Sequence, residues 1–204
     1  MKLSFPIKRM IFGDSFLQSF ATPQETVISE LAGKSIAIVG NARSLADQEH
    51  GTKINNCDLV IRMHTAPLIA RKSHGSKTTW LALGMPVDQS IINAHAPDRL
   101  LWMAKKRKRV RYSIAMAKGF YMHPKADWDI IAQKLSAPPT TGVMLIDLAK
   151  RSNAAQINLF GFDFFASLSL SGRRTAAQVP HNFAAEKQFV TDLMERDLRV
   201  VLHS

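Results

Sequence analysis

Continuous apolar runs alternate along this chain with segments of helical periodicity. Three buried strands are predicted by KSIAIVG (Ser35 to Val39), DLVIRM (Asp58 to Met63) and SKTTWLAL, while RLLWMA and GFYM are weaker strand candidates. Farther along, helices are predicted by DWDIIAQKL, GVMLIDLAK and HNFAAEKQFVTDLMERD, and two more strands by QINLFGF and LRVVLH. Strands that are apolar on both faces and interleave with helices are typical of a mostly parallel sheet covered on both sides. The pattern therefore predicts a single α/β domain with about seven strands.

Ligands of such sheets lie beyond the carboxyl ends of the strands, so the turn after the first strand is a candidate site. VGNARSL places Gly40, Asn41 and Ser44 in that turn. A turn of this kind exposes backbone N–H groups and a side-chain amide to a nucleotide. It matches neither the G-x-G-x-x-G pattern nor the P-loop pattern, so a purely structural turn stays an equal alternative.

A second candidate is PPTTG, where two prolines end the preceding segment. Thr140 or Thr141 is a good N-cap for the helix that follows, and Gly142 has no side chain to obstruct a ligand. Free N–H groups and the positive end of the helix dipole suit a phosphate. The alternative is a capped helix with no ligand.

The third candidate is VPHNFAAEKQF, in which His181 and Glu186 lie five residues apart at the start of a helix. If Asn182 is the N-cap, these two side chains occupy the positions that contact each other in a hydrophobic staple. A carboxylate beside the imidazole would fix its tautomer and favour a general base. The alternative is a surface helix that happens to begin with a histidine.

Length and composition are those of one globular domain, with 204 residues of which 46% are hydrophobic and 21% charged. We divide the chain into residues 1–32, an N-terminal tail or capping segment, and residues 33–204, the main domain. The apolar residues of the tail are interrupted by charges, which excludes a signal-peptide core or a membrane span within it. A basic, aromatic-rich tail could nevertheless lie on a membrane surface, so peripheral membrane contact is a further expectation.

The net charge of +11 predicts an anionic partner. Six basic residues lie in KKRKRVR (Lys105 to Arg111), which is either a solvated loop or a nucleic-acid contact. Cys57 is the only cysteine, so no intrachain disulfide can form and a reducing compartment is favoured.

Taken together and in this order, the three candidates resemble the motifs of the sialyltransferase family, glycosyltransferase family 29. IAIVGNARSLADQEHGTKINNCDLVIRMHTAP with HGSKTTWLAL resembles the long motif, and PPTTGVMLIDLAKRSNAAQINLFGF resembles the short motif. HNFAAE fits the very-short H-x4-E pattern. The resemblance extends over about residues 35 to 190.

The resemblance implies a Rossmann-like, GT-A-like fold and metal-independent, inverting transfer of a sialic-acid-like sugar. The donor would be a CMP-sugar, and the acceptor a hydroxyl of a glycan or glycolipid, which is plausibly anionic because the protein is basic. His181 would act as the general base with Glu186 as its support, and no cofactor or metal is expected. The donor-binding residues would be Asn41, Ala42, Ser44, Arg62, His64, Thr140, Thr141, Gly142, Gly161 and Phe162.

The sequence departs from the family pattern at two functional positions. The long motif usually has Asn where this chain has His64, and an imidazole replaces one amide hydrogen bond but not both. The third motif of the family, whose histidine assists the leaving phosphate, is not visible between Phe165 and Pro180. Arg173 and Arg174 fall in that interval and could supply positive charge instead.

Two structural departures concern cysteines and the membrane. The animal enzymes pair a cysteine of the long motif with one of the short motif, and the corresponding positions here are Ser35 or Ile36 and Ala154. Their membrane anchor has no counterpart in this sequence, which favours a bacterial-type soluble or peripheral form. We therefore expect a cytoplasmic location, with contact to the inner membrane face as the peripheral variant.

Several alternatives remain at the level of sequence. The motifs address CMP more than the sugar, so a CMP-Kdo transferase of the same mechanism is equally consistent with them. A non-catalytic relative would keep the fold, and a nucleic-acid-binding module would use Lys105 to Arg111, although we expect no nucleic-acid partner. Asp127 and Asp129 spell the D-x-D of metal-dependent enzymes, but they begin a predicted helix. The oligomeric state is left open.

Overall fold

Seven strands form a single sheet in the described part of the chain. The computed structural model describes residues 4–65, 67–164 and 179–203. The strands are β1 (Ser35–Val39), β2 (Leu59–Met63), β3 (Trp80–Leu83), β4 (Arg99–Trp102), β5 (Tyr121–Met122), β6 (Gln156–Phe160) and β7 (Val200–His203). Their order is β5-β4-β3-β2-β1-β6-β7, and all neighbouring pairs are parallel. The predicted α/β class with about seven strands is confirmed.

Helices connect the strands and cover both faces of the sheet. They are α1 (Phe5–Gln18), α2 (Gln24–Ser29), α3 (Gly51–Asn56), α4 (Arg71–His74), α5 (Gln89–His95), α6 (Tyr112–Ala115), α7 (Lys125–Leu135), α8 (Thr141–Lys150) and α9 (Phe183–Arg196). Two short 3₁₀ helices lie at Arg43–Asp47 and Arg107–Arg109. The strand order reverses at β1, so that β2 lies on one side and β6 on the other, as in a Rossmann-like sheet.

Alternate residues of each strand pack into two different apolar layers, one on each face of the sheet, because successive side chains of a strand point to opposite faces. Ile36 and Ile38 of β1 face a core that α2, α7, α8 and α9 complete. On the opposite face, Ala37 and Val39 pack with α3 and the first 3₁₀ helix, while α1, α5 and α6 cover β3, β4 and β5. Continuous burial of the central strands follows from this two-sided covering.

Helix α8 lies at the centre of the first layer and is buried on nearly its whole circumference. All residues from Thr141 to Ala149 are buried, including both polar and apolar positions. The sequence predicted one apolar stripe through Val143, Ile146 and Ala149, which accounts for only one side of this helix. The other sides are buried because neighbouring helices pack on either flank of α8, a consequence of the sheet order.

Residues 4–32 form two helices that are fastened to the β4–β5 side of the sheet. The guanidinium of Arg99 donates to both carboxylate oxygens of Glu30 and to the hydroxyl of Thr22. The backbone N–H of Thr22 donates to the carbonyl of Phe120 over 2.7 Å. Leu17 is fully buried in the apolar layer formed with β3 and β4. This segment thus shares the core of the domain.

The ends of β1 and β6 approach each other closely at two glycines. A Cβ atom at Gly40 would lie 2.2 Å from the carbonyl oxygen of Gly161, closer than any real contact. Gly161 itself has a φ of 65°, a left-handed conformation that favours glycine. The loops that follow the two central strands are therefore in direct backbone contact.

We expect Gly40→Ala to lower the free energy of unfolding by about 3 kcal/mol, because the new methyl group overlaps backbone atoms that cannot move independently. Gly33→Ala is the control, since Gly33 has a φ of 70° but no atom within 4 Å of its Cβ position. Gly33→Ala should lower the free energy of unfolding by only about 1 kcal/mol, the cost of placing an alanine at a positive φ. Urea unfolding followed by tryptophan fluorescence measures both. Equal losses would contradict the close approach of the two loops.

Candidate active site

Four chain segments converge at the carboxyl edge of the sheet, where the strand order reverses. The loops after β1 and β6 lie side by side because these strands are parallel neighbours. Helices α8 and α9 each precede a strand of this parallel sheet, β6 and β7, so both begin at the same edge. This is the position at which open α/β sheets bind their ligands.

The loops after β1 and β6 are tied together by hydrogen bonds. The N–H of Gly40 donates to the carbonyl of Phe160 over 2.7 Å, and the N–H of Ala42 donates to the carbonyl of Gly161 over 3.2 Å. The Asn41 amide donates to the carbonyl of Met63 over 3.3 Å, at the end of the adjacent strand β2. The predicted positions Asn41, Ala42 and Gly161 are thus brought together.

Ser44 and Phe162 flank this pair of loops. The Ser44 hydroxyl donates to the carboxylate of Asp163 over 3.4 Å. The Phe162 ring lies against Gly142, where a Cβ atom would be 2.7 Å from the ring. Gly142 was expected to leave room for a ligand, but the ring of Phe162 comes closest to the position that its Cβ would take. Phe162 therefore joins the β6 loop to the start of α8.

Helix α8 begins with a side-chain N-cap, Thr140. The Thr140 hydroxyl accepts from the N–H of Val143, and the Thr140 carbonyl accepts from Met144. Within the described residues, the N–H groups of Thr141 and Gly142 have no hydrogen-bond partner. Together with the helix dipole, such N–H groups suit an anion, so phosphate binding at this helix start stays a prediction.

A buried carboxylate fixes this helix start to the next helix. Glu186 is 4% exposed, and its two oxygens accept from the N–H and the hydroxyl of Thr140, each over 2.7 Å. Desolvation raises the pKa of Glu186 to about 7, although both hydrogen bonds from Thr140 act in the opposite direction. Glu186 therefore positions the α8 terminus from a neighbouring helix.

His181 has a different partner from the one that the sequence predicted. The expected contact between its imidazole and Glu186 is wrong, because both oxygens of that carboxylate are engaged by Thr140. Instead, Nδ1 of His181 lies 2.7 Å from the carbonyl oxygen of Pro138. A carbonyl can only accept, so Nδ1 carries the proton and the lone pair of the neutral ring is on Nε2. The carbonyl thus orients the ring as the carboxylate was expected to do.

His64 is a second histidine near His181. Its φ is 57°, and its backbone N–H donates to the carbonyl of Ala82 over 2.8 Å. A Cβ atom at Gly84 would touch both the His64 ring, at 2.9 Å, and the Thr141 hydroxyl, at 2.8 Å. Desolvation lowers the pKa of His64 to about 4, with a smaller effect from His181, so the ring is neutral at pH 7. A cavity of about 350 Å³ opens beside it, between Thr65 and Pro86.

Arg62 is not part of this site, contrary to the prediction. Its side chain is 2% exposed and donates to the carbonyls of Lys77 and His74 and to the hydroxyl of Thr78. Burial lowers the pKa of its guanidinium to about 10. The guanidinium points towards the segment before β3 because two oxygen acceptors of that loop, at Lys77 and Thr78, and one at the end of α4, at His74, are fixed there. Arg62 therefore organises the loop before β3.

Two further pairs of residues were considered from the sequence, Arg173 with Arg174 and Asp127 with Asp129. Arg173 and Arg174 lie outside the described residues. Asp127 and Asp129 lie within α7, as expected from the sequence, and pair with Arg151 and Lys105. Among the described residues, no group of three or more His, Cys, Asp or Glu side chains is placed to hold a metal ion. The expectation of a metal-independent reaction stays a prediction.

Sequence reasoning missed the backbone groups that shape the site. No side-chain pattern in the sequence marks the carbonyl of Pro138 as a hydrogen-bond acceptor or Gly84 as a point of close approach. The one available signal was the Pro-Pro pair before Thr140, which was interpreted only as the end of a segment. In the structure, the first of these prolines presents its carbonyl to His181.

The chain is similar in sequence to known sialyltransferases. The chain is 29% identical over 178 residues to the rat CMP-N-acetylneuraminate-beta-galactosamide-alpha-2,3-sialyltransferase 4, with 65% of this chain and 50% of the relative covered. It therefore spans about half the length of the curated relatives that it matches first. Among the described residues, no helix has the length and apolarity that a membrane span requires.

Solved structures with a similar fold are also found. A mammalian sialyltransferase in complex with Gal-beta-1-3GalNAc-ortho-nitrophenol has a TM-score of 0.60 at 16% identity, covering 92% of this chain and 82% of that one. The sialyltransferase CstII from Campylobacter jejuni, in complex with the substrate analogue CMP-3FNeuAc, has a TM-score of 0.54 at 14% identity, with 83% and 79% covered. These likenesses confirm the GT-A-like Rossmann fold.

A sequence profile settles the family. The profile of glycosyltransferase family 29 (sialyltransferase) matches residues 11–123, more than half of this chain. The matched range includes the loop after β1 and the whole of β2, β3 and β4. Together with the sheet and the carboxyl-edge site, this match shows that the chain belongs to glycosyltransferase family 29, the sialyltransferases.

Proposed function

We propose that this protein transfers a sialic-acid-like sugar from a CMP-sugar donor to a glycan hydroxyl, with inversion and without a metal ion. His181 removes the proton from the acceptor hydroxyl through Nε2 as the oxygen attacks the anomeric carbon. The bond from that carbon to the phosphate oxygen breaks, and CMP leaves with the electron pair. The observation that carries the proposal is the Nδ1 hydrogen bond to Pro138, which leaves Nε2 as the basic nitrogen.

The start of α8 supplies the complementary group for the leaving phosphate. Its N–H groups at Thr141 and Gly142, which have no partner among the described residues, and its dipole favour a doubly charged phosphate over the sugar-linked diester. The loops after β1 and β6, tied together through Ala42 and Gly161, would hold the nucleoside. CMP is named in the structure of CstII, and a sialyl donor in the name of the rat relative, which supports the choice of donor.

We expect His181→Ala to lower turnover by about 10² to 10⁴-fold while CMP affinity changes less than threefold, because the base acts on the acceptor rather than on the nucleotide. The assay is CMP release from CMP-sialic acid and, separately, from CMP-Kdo, with a bacterial glycan extract as acceptor and EDTA present. The donor that supports release identifies the sugar.

The matched control is His203→Gln, because His203 also has a polar partner, Asn158 at 2.8 Å, but lies on β7. Turnover per folded molecule should be retained in this variant. Unchanged turnover in His181→Ala would place the base elsewhere. Activity that is lost in EDTA and restored by manganese would contradict the metal-independent mechanism.

We expect His64→Asn to keep CMP affinity within threefold, whereas His64→Ala weakens it about 5 to 10-fold, the value of one hydrogen bond. Asparagine tolerates the positive φ of this position and offers an amide where imidazole now lies. Isothermal titration with CMP measures the affinities, and thermal unfolding checks that both variants fold. Equal affinity of the two variants would show that residue 64 makes no polar contact with the nucleotide.

We expect Glu186→Gln to remove a pH dependence of stability between pH 4.5 and 8. The folded-state pKa of about 7 lies above the ordinary value of 4.5, so folding takes up a proton between these values. The resulting stability is fully present below pH 4.5 and is lost as the pH rises through 7. The wild type should therefore lose roughly 3 kcal/mol relative to the variant over this range.

Urea unfolding at pH 4.5, 6, 7 and 8 measures this difference. Glu195→Gln is the control, because Glu195 is an exposed carboxylate on the same helix and should follow the wild type at every pH. A constant difference between Glu186→Gln and wild type would show that the Glu186 carboxyl does not titrate near neutrality. Low turnover at all pH values in a folded Glu186→Gln variant would be consistent with a displaced α8 terminus.

A further inference from the structure

Helix α1 is kinked at Gly13, where φ is 53° and ψ is −128°, and it carries apolar side chains both towards the core and towards solvent. Its inner side packs through Phe5, Phe16 and the fully buried Leu17. Its outer side carries Ile7, Met10, Ile11 and Phe12, which are 39%, 79%, 56% and 54% exposed. Exposed apolar side chains that are grouped on one surface commonly mark a contact with another molecule or a membrane. The outer side of α1 is thus an apolar surface that lacks a cover within the described residues.

This outer side lies directly beside the basic run. The Arg9 guanidinium donates to the carbonyl of Val110, and the rings of Phe5 and Tyr112 meet edge to face at 5.3 Å. Asp14 forms an ion pair with Arg107 over 3.7 Å. These contacts fasten α1 to the second 3₁₀ helix and to α6, so the exposed apolar side chains and the basic run share one region of the surface.

Most of the positive charge in this region is uncompensated. Arg107 is turned inward to the carbonyls of Ala104 and His123, and Lys105 pairs with Asp129. The remaining basic residues are all exposed, and none has an ion-pair partner among the described residues; they are Lys106, Lys108, Arg109 and Arg111. Tyr112 follows them and is 58% exposed, with a polar tip and an apolar ring.

We propose that this surface, which we call the α1 patch, binds peripherally to membranes that contain anionic phospholipids. The α1 patch consists of Ile7, Met10, Ile11, Phe12, Lys106, Lys108, Arg109 and Arg111. Apolar side chains of an interfacial helix enter the boundary between headgroups and acyl chains, and flanking cations pair with anionic headgroups. In the α1 patch, the exposed apolar side chains and the exposed cations lie side by side.

Other occupants fit the α1 patch less well. A second copy of the chain, packed through the same surface, would bring two uncompensated basic runs together in a protein of net charge +11. Nucleic acid would use the cations, but it gains nothing from exposed aliphatic side chains such as Met10 and Ile11. An anionic bilayer uses the charge and the apolar side chains together.

The position of the α1 patch has a consequence for the acceptor. The basic run follows the carboxyl end of β4, and so lies at the same edge of the sheet as the start of α8 and His181. On a membrane, that edge would lie next to the headgroup layer, where the glycan of a glycolipid is found. This consequence rests on the proposed function, whereas membrane binding by the α1 patch does not.

The test is co-sedimentation of the full chain with vesicles of pure phosphatidylcholine and of phosphatidylcholine with 30% phosphatidylglycerol, a fraction of about one lipid in three that gives a negative surface. We expect binding to the anionic vesicles only. The charge variant carries Lys106→Gln, Lys108→Gln, Arg109→Gln and Arg111→Gln, and the apolar variant carries Met10→Ser and Ile11→Ser. Each should weaken binding about 10-fold or more.

Matched control variants carry the same changes elsewhere on the surface. The charge control replaces the exposed Arg71, Lys134, Lys187 and Arg196 by Gln, and the apolar control replaces the exposed Ile130 and Leu198 by Ser. Both controls should bind within about twofold of the wild type if the site is local, since distant charges are screened. Circular dichroism and thermal unfolding verify the fold of every variant.

Three results would overturn the proposal. Equal binding to neutral and anionic vesicles would remove the role of charge, and loss of binding in the controls equal to that in the test variants would remove the role of the α1 patch. If the protein binds no vesicles but binds RNA in a salt-dependent way, and only the charge variant loses RNA binding, the basic run is assigned to nucleic acid. Retained CMP binding in the test variants separates this outcome from failure of the proposed function.

Discussion

The two hydrogen bonds from Thr140 to the buried carboxylate of Glu186 hold the candidate active site together. They join the first residue before α8 to the first turn of α9, and a third bond joins His181 to Pro138 close by. Because the two connections run between the same two short segments, neither helix start can shift without breaking the other contact. The start of α8 and the His181 ring are therefore positioned by one shared network.

Desolvation is what gives this network its chemical character. It raises the pKa of Glu186 to about 7 and lowers that of His64 to about 4, so both groups are held closer to their neutral forms. His64 is thus neutral at pH 7 and the charged form of Glu186 is disfavoured, which reduces the charge that competes with the N–H groups and dipole of α8. A leaving phosphate gains most from such a terminus in a site with little competing charge.

The sheet divides the proposed tasks between its two halves. The proposed donor site lies around β1 and β6, where the strand order reverses and the two central loops touch at Gly40 and Gly161. The β4–β5 half carries α1 and the exposed cations that we assign to a membrane. Both lie at the carboxyl edge, so a lipid-linked acceptor and a bound nucleotide could meet there without any rearrangement of the fold.

The sequence alone determined the elements and the order of the motifs, because strand and helix periodicities are local. It predicted β1 at Ser35–Val39 as observed, left the N-cap of α8 open between Thr140, which the structure shows, and Thr141, and brought His181 and Asn182 to the start of the last helix. The tertiary structure decided which groups are partners. Glu186 binds Thr140, 46 residues away, and His181 binds the carbonyl of Pro138, 43 residues away. Arg62 likewise turns to a loop that local pattern could not select. These choices depend on how parallel strands are ordered in the sheet, and no local periodicity encodes that order.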